Sequence, residues 1–153
     1  MGKILTGVYV LIILIALGVV VYFVGGVSRQ TPPIQSYEYQ GSISEFVSDI
    51  STYTKLRSNG KYFITDTVGN IKDDYAIRLT IELITNNDSI EFDLKIEPQD
   101  EVGSTKTNVY LTKAYNKTKI SGGYQAGSAG IKPLVDFFNS DFVPNIKKLD
   151  KVE

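Results

Sequence analysis

The 153-residue chain has no cysteine, no histidine and no tryptophan. Without cysteine it has no disulfide, no thiolate-ligated metal and no thiol nucleophile. That absence says little about compartment, because an exported domain of ordinary size need not be cross-linked. The missing histidine excludes more. It removes the commonest general base, the serine and cysteine triads built around it, and the commonest zinc and iron ligand. Any proton transfer would fall to Asp, Glu, Tyr or Lys. An excess of one charge is also lacking, with 16 basic against 17 acidic residues and a net charge of −1. No basic block is longer than Lys147-Lys148, so neither a nucleic-acid surface nor a polybasic lipid-binding surface is indicated.

One feature is present in excess. From Ile4 to Val27 there is no charged residue, and at about 1.5 Å per residue this run makes a helix of about 36 Å, enough to cross a hydrocarbon core of about 30 Å. Tyr9 and Tyr22 suit the two interfaces. A cleavable signal needs a shorter apolar centre and a small-residue site after it. Ala16-Leu17-Gly18 is the nearest candidate, but the run continues through Val19, Val20, Val21 and Phe23. The reading is a retained single-pass anchor over residues 1–27, with the bilayer contacted by residues 4–27. Lys3 lies on the short side, against Arg29 and then Glu38 and Glu45 on the long side. That balance places the amino terminus in the cytoplasm and the carboxy-terminal domain on the extracytoplasmic face.

Residues 28–35 read as a linker ending in Pro32-Pro33, residues 36–149 as one α+β domain, and residues 150–153 as a tail. Tyr37 and Tyr39 mark a first strand between Ser36 and Gly41. Ser42-Ile43-Ser44-Glu45 has the form of a capping box. Ile43, Phe46, Val47 and Ile50 then repeat at helical spacing, predicting a helix from about Ile43 to Tyr53. From Lys61 onward the period changes to two. Tyr75, Ile77, Leu79, Ile81 and Leu83 alternate with polar residues, as do Ile90, Phe92, Leu94 and Ile96 after the turn Asn86-Asn87-Asp88. Lys61–Val68 and Lys106–Tyr115 fit as neighbouring strands of a curved antiparallel sheet with one wet face. Leu134, Phe137, Phe138, Phe142, Ile146 and Leu149 form the stripe of a long closing helix, kinked at Pro144 because proline cannot donate to the carbonyl of Ser140.

Chemical motifs are sparse. Ser58-Asn59-Gly60-Lys61 has a serine-lysine spacing, but its Asn-Gly argues for a turn. Gly122, Gly123, Gly127 and Gly130 precede a helix without matching a phosphate-binding order. Asp73-Asp74 and Asp100-Glu101 suit solvated turns, and no EF-hand spacing is present. Asn87-Asp88-Ser89 and Asn116-Lys117-Thr118 are glycosylation sequons. No metal set, cofactor site or catalytic constellation is assigned, and the chain is read as non-enzymatic.

The stretches "YEYQGSISEFVSDISTYTKL" and "IKPLVDFFNSDFVPNIKKLDK", in that order around a run of strands, resemble the helix-grip fold of the START and polyketide-cyclase-like superfamily, in particular its membrane-tethered bacterial members. The segment between Ile43 and Lys61 is shorter than in that family, and Tyr53 stands near the place of a frequent tryptophan. The resemblance implies a sheet wrapped around the last helix with an apolar cavity between them. Phe137, Phe138, Phe142 and Ile146 from the helix, with Ile77, Leu79, Phe92 and Leu94 from the sheet, are then the cavity-lining candidates. The expected function is a membrane-tethered, non-catalytic module that binds an apolar small molecule or lipid there. The alternative is an accessory or assembly subunit of a membrane protein complex. That alternative predicts a filled core and an exposed apolar patch or edge strand.

Overall fold

A computed structural model describes residues 32–57, 59–69, 75–85, 87–99 and 105–152. The proposed anchor at Ile4–Val27, with Tyr9, Tyr22, Lys3 and Arg29, lies outside the described residues, as do Ser58, Asp73-Asp74, Asn86 and Asp100-Glu101. Among the described residues no helix is long and apolar enough to cross a membrane. The chain divides into two units between Thr31 and Pro32, and the second, Pro32–Glu153, holds all of the described residues.

That unit is α+β, a curved, open antiparallel sheet with two helical segments on one face. Strand β1 (Gln35–Tyr39) turns Tyr37 and Tyr39 into the core by simple alternation. Helix α1 (Ile43–Leu56) starts at the capping box read from the sequence. The Ser42 hydroxyl accepts from the Glu45 amide at 3.3 Å, and the Glu45 carboxylate accepts from the Ser42 amide at 2.9 Å. Two of the orphan donors at the helix start are thereby satisfied. Ile43, Phe46, Ile50 and Tyr53 form its buried face. The helix runs three residues past the expected end, because Thr54 is buried and its hydroxyl bonds back to the Ile50 carbonyl at 2.9 Å.

Strands β2 (Gly60–Val68), β3 (Ala76–Thr85), β4 (Asp88–Pro98) and β5 (Thr107–Asn116) follow as a meander, and a short β6 (Ser121–Gly123) folds back on the end of β5. The expected hairpin is formed, with Ile77 opposite Ile96, Leu79 opposite Leu94 and Ile81 opposite Phe92, all facing inward. Two β-bulges correct the phase. One lies at Thr65, between the pairs Ile64–Leu79 and Asp66–Arg78. The other lies at Thr112 of β5, opposite the step from Asp93 to Leu94, and lets Val109, Leu111 and Ala114 all point into the core. Each adds one residue to one strand, which switches the side-chain alternation beyond it and sharpens the local twist.

The closing helix departs from expectation. It runs as α2 (Ile131–Phe137), a π-helical turn (Phe138–Phe142) and a last short turn α3 (Val143–Asn145). The Val143 amide bonds to the Phe138 carbonyl, five residues back, and Pro144 follows immediately. A proline at this point has no amide to give, so the extra residue of the π turn stands directly before the ladder it interrupts. Leu149 is not on this helix. The helix ends at Asn145, Ile146 is extended, Lys148 takes a left-handed turn at φ 70°, and Leu149–Lys151 form strand β7 opposite Tyr39, Glu38 and Tyr37 of β1. The segment read as a tail thus begins within the sheet, since the free side of β1 offers backbone partners that a solvated tail would lack. The strand order is β2-β3-β4-β5-β1-β7, with β6 beside β5.

Candidate functional site

The eight residues proposed to line a cavity meet in one place. Ile77, Leu79, Phe92, Leu94, Phe138, Phe142 and Ile146 are buried, with Phe92, Phe138 and Phe142 wholly so, and Phe137 is half-buried against them. Their rings touch one another. Phe138 lies 4.5 Å from Phe142, 5.0 Å from Phe92 and 5.4 Å from Tyr37, centroid to centroid, and Phe137 stacks on Phe92 at 6.3 Å. These are contact distances for aromatic pairs.

Around this cluster, three tyrosines join helix to sheet. Tyr37 Oη donates to Asn139 at 2.7 Å, Tyr39 Oη to Asp49 at 2.8 Å, and Tyr53 Oη to Asp141 at 2.6 Å. Arg57 pairs with the other Asp141 oxygen and lies 5.0 Å over the Tyr53 ring. Burial pushes all three phenols above their ordinary pKa, and the neighbouring carboxylates push Tyr39 and Tyr53 in the same direction. Phenols held neutral with their protons already donated make rigid struts and poor bases. The sequence pattern marks none of the three as functional; their shared signal is a tyrosine at an inward position, with its polar partner ten residues away for Tyr39 and 88 and 102 residues away for Tyr53 and Tyr37. Among the described residues no buried side-chain polar atom lacks a partner, and no three acidic residues cluster as a metal site.

On the outer face of the sheet, charges pair across strands. Lys117 bridges Glu82 and Glu91, which stand directly opposite each other, and Lys113 pairs with Glu91 and reaches Asp93. Burial alone would raise the Glu91 carboxyl, but hydrogen bonds from Lys113 and Lys117 outweigh it and hold its pKa below the usual carboxylate range. The second sequon also has a structural task. Asn116 is buried, and its side-chain oxygen accepts from the amides of Thr118 and Lys119, closing the β5–β6 turn.

The glycine-rich loop is likewise structural. Gly122 sits at φ 97°, and a Cβ there would lie 2.2 Å from the Ala114 carbonyl oxygen, so close approach of strands requires the glycine. Asn59 and Gly60 form the predicted turn into β2.

Exposed apolar side chains gather elsewhere. Among the described residues strand β2 pairs only with β3, and Phe63, Ile64 and Val68 on it are each about half exposed or more. Leu56 and Ile84 lie at its start, on an open depression of about 250 Å³ lined also by Arg57, Asn59, Gly60 and Leu83. Among the described residues, five of the eight large exposed apolar side chains are therefore on or beside one sheet edge.

No family model, curated protein or solved structure matches the chain. Two places in the domain bear on function, the ring cluster inside and the free edge of β2 outside.

Proposed function

We propose that this chain is a non-catalytic accessory or assembly subunit held at a membrane, whose folded domain makes protein contacts through the β2 edge. The observation that carries the reading is the contrast between interior and edge. Between closing helix and sheet, rings meet at 5.0 to 6.3 Å, while apolar side chains stand exposed along a strand paired on one side. A strand with a free side is a template for another strand; proteins that do not use one usually blunt it with charges or bulges, and β2 carries one bulge, at Thr65. The charges on β2, Lys61 and Asp66, are few against Phe63, Ile64 and Val68.

The membrane attachment in this proposal rests on the uncharged run Ile4–Val27, with the amino terminus cytoplasmic and the domain extracytoplasmic. The order of strand, short helix, antiparallel strands and closing helix supports a helix-grip arrangement, here proposed as a variant with a closed core. The competing arrangement is an apolar-ligand cavity bounded by Phe138, Phe142, Leu79 and Leu94; the ring contacts weigh against it.

The test uses the full-length chain in its native membrane. A photo-crosslinking amino acid at Phe63 is expected to trap protein, and one at Tyr124, at least as exposed and placed beside Lys113 of β5, to trap far less. Native mass spectrometry of the chain released in mild detergent is expected to show no stoichiometric lipid. A one-to-one apolar adduct that Phe138→Gln removes without unfolding would overturn the closed core and restore the cavity reading.

A further inference from the structure

We infer that the partner of the β2 edge is a second copy of this chain, joined by antiparallel β2–β2 pairing about a two-fold axis at Phe63, so that two sheets become one. This rests on the reading of β2 as a docking edge and names its occupant. Strand register carries the inference. A two-fold axis perpendicular to a sheet sets each residue opposite one on the same face, so a regular strand pairs odd positions with odd and even with even. In a regular β2, Lys61 and Asp66 would fall on opposite faces. The bulge at Thr65 changes that. The partners on β3 place Lys61, Phe63, Asp66 and Val68 in one row on the outer face, opposite Glu82, Thr80, Arg78 and Ala76, and Tyr62 and Ile64 on the inner face, opposite Ile81 and Leu79.

Counting outward from Phe63 in that bulged register, the first inner-face neighbours are Tyr62 on one side and Ile64 on the other, and the next outer-face neighbours are Lys61 and Asp66. Two-fold pairing about Phe63 therefore sets Phe63 against Phe63 of the second copy. It sets Tyr62 against Ile64 twice and Lys61 against Asp66 twice. The strand is self-complementary in charge and in apolar character on both faces at once, and only because of the bulge. The charges are also available. Among the described residues Glu82, Glu91, Asp93, Lys95, Lys113 and Lys117 are all in ion pairs on the outer face, whereas Lys61, Asp66 and Arg78 are in none. The joined sheet would carry a row running Glu82, Lys61, then Asp66 and Arg78 of the second copy, alternating in sign across the junction. Opposite charges in such cross-strand positions stabilise pairing, and like charges oppose it.

The chain contains no cysteine, so a single one reports the register cleanly. Directly opposed residues of an antiparallel pair have Cα atoms about 4.5 to 5.5 Å apart, within disulfide range. Full-length chain carrying Phe63→Cys, in nonionic detergent under mild oxidation, is expected to form a covalent dimer. Thr80→Cys, one strand further from the axis on each copy, is expected to stay monomeric. Sedimentation across a concentration series should show Lys61→Glu weakening self-association roughly tenfold, since two symmetry-related attractions become repulsions. The double variant Lys61→Glu with Asp66→Lys should restore it.

A chain that sediments as a monomer throughout, with Phe63→Cys uncross-linked, would overturn the second copy as occupant. So would a dimer indifferent to Lys61→Glu. If in either case the Phe63 photo-crosslinker still traps a different protein in membranes, the docking edge survives and only its occupant was misassigned. If it traps nothing, both fail.

Discussion

Replacing Phe138 by alanine, and separately Leu94 by phenylalanine, asks whether the space between helix and sheet is full. Phe138 is wholly buried with three rings within 5.4 Å, and Leu94 is 1 % exposed. In a packed core, truncating a buried phenylalanine costs about 3–5 kcal/mol, from lost transfer energy and the void left behind. The aromatic contacts to Phe142, Phe92 and Tyr37 vanish together, so the upper half of that range is expected, about 4 kcal/mol. Adding volume at Leu94 forces neighbours off their preferred rotamers and costs about 1–3 kcal/mol. An open, ligand-sized cavity predicts the reverse pattern. There the larger ring at position 94 enters free space at little cost, and the missing ring at 138 enlarges an existing void. The assay is urea unfolding of the full-length chain at fixed detergent concentration, followed by near-ultraviolet dichroism of its ten tyrosines. A filled core is refuted if Leu94→Phe lies within about 0.5 kcal/mol of the parent while Phe138→Ala costs under about 2 kcal/mol.

Two other outcomes are expected, from the outer face and from the glycine loop. The folded pKa of Glu91 is held below its ordinary value near 4.5, so the unfolded state binds more protons there. Its contribution is thus present above the unfolded pKa and lost as pH falls through the folded one. Glu91→Gln should lower stability by about 1 kcal/mol near neutral pH, and the gap to the parent should close below that window. A gap that persists unchanged at pH 3 would contradict the ion-pair account. Gly122→Ala places a Cβ 2.2 Å from a carbonyl oxygen at a left-handed φ, whereas Gly127 has nothing within 4 Å of its added Cβ. Thermal unfolding should therefore show a loss of about 2 kcal/mol or more for the first and almost none for the second. Equal effects would show that the loop does not pack as described.

Much of the domain is legible residue by residue. Ser42 and Glu45 announce the helix start because both halves of a capping box lie within four residues, and the hairpin of β3 and β4 comes from strict alternation on either side of a turn. The eight cavity candidates also come together, since inward-facing strand residues and a helical aromatic stripe have few places to go but a shared core. What local pattern does not carry is how that space is filled. Contact or cavity depends on the distance between elements, and the helix-to-sheet ring separations of 5.0 to 6.3 Å follow from how the closing helix lies on the sheet rather than from any local pattern.

Residue order alone establishes the uncharged run Ile4–Val27, the absence of histidine and cysteine chemistry, and the succession of strand, capped helix, strands and aromatic helix. Each depends on neighbours within one turn or one strand. It takes the folded chain to show that Leu149–Lys151 leave the helix for the free side of β1, that tyrosines 37, 39 and 53 find Asn139, Asp49 and Asp141, and that β2 is an edge. The bulge at Thr65 belongs with these, because an extra residue is defined only against the strand beside it. Pairing, edge and register are relations between segments distant in the chain. No local preference encodes them, and the free strand edge and its charge row arise from those relations alone.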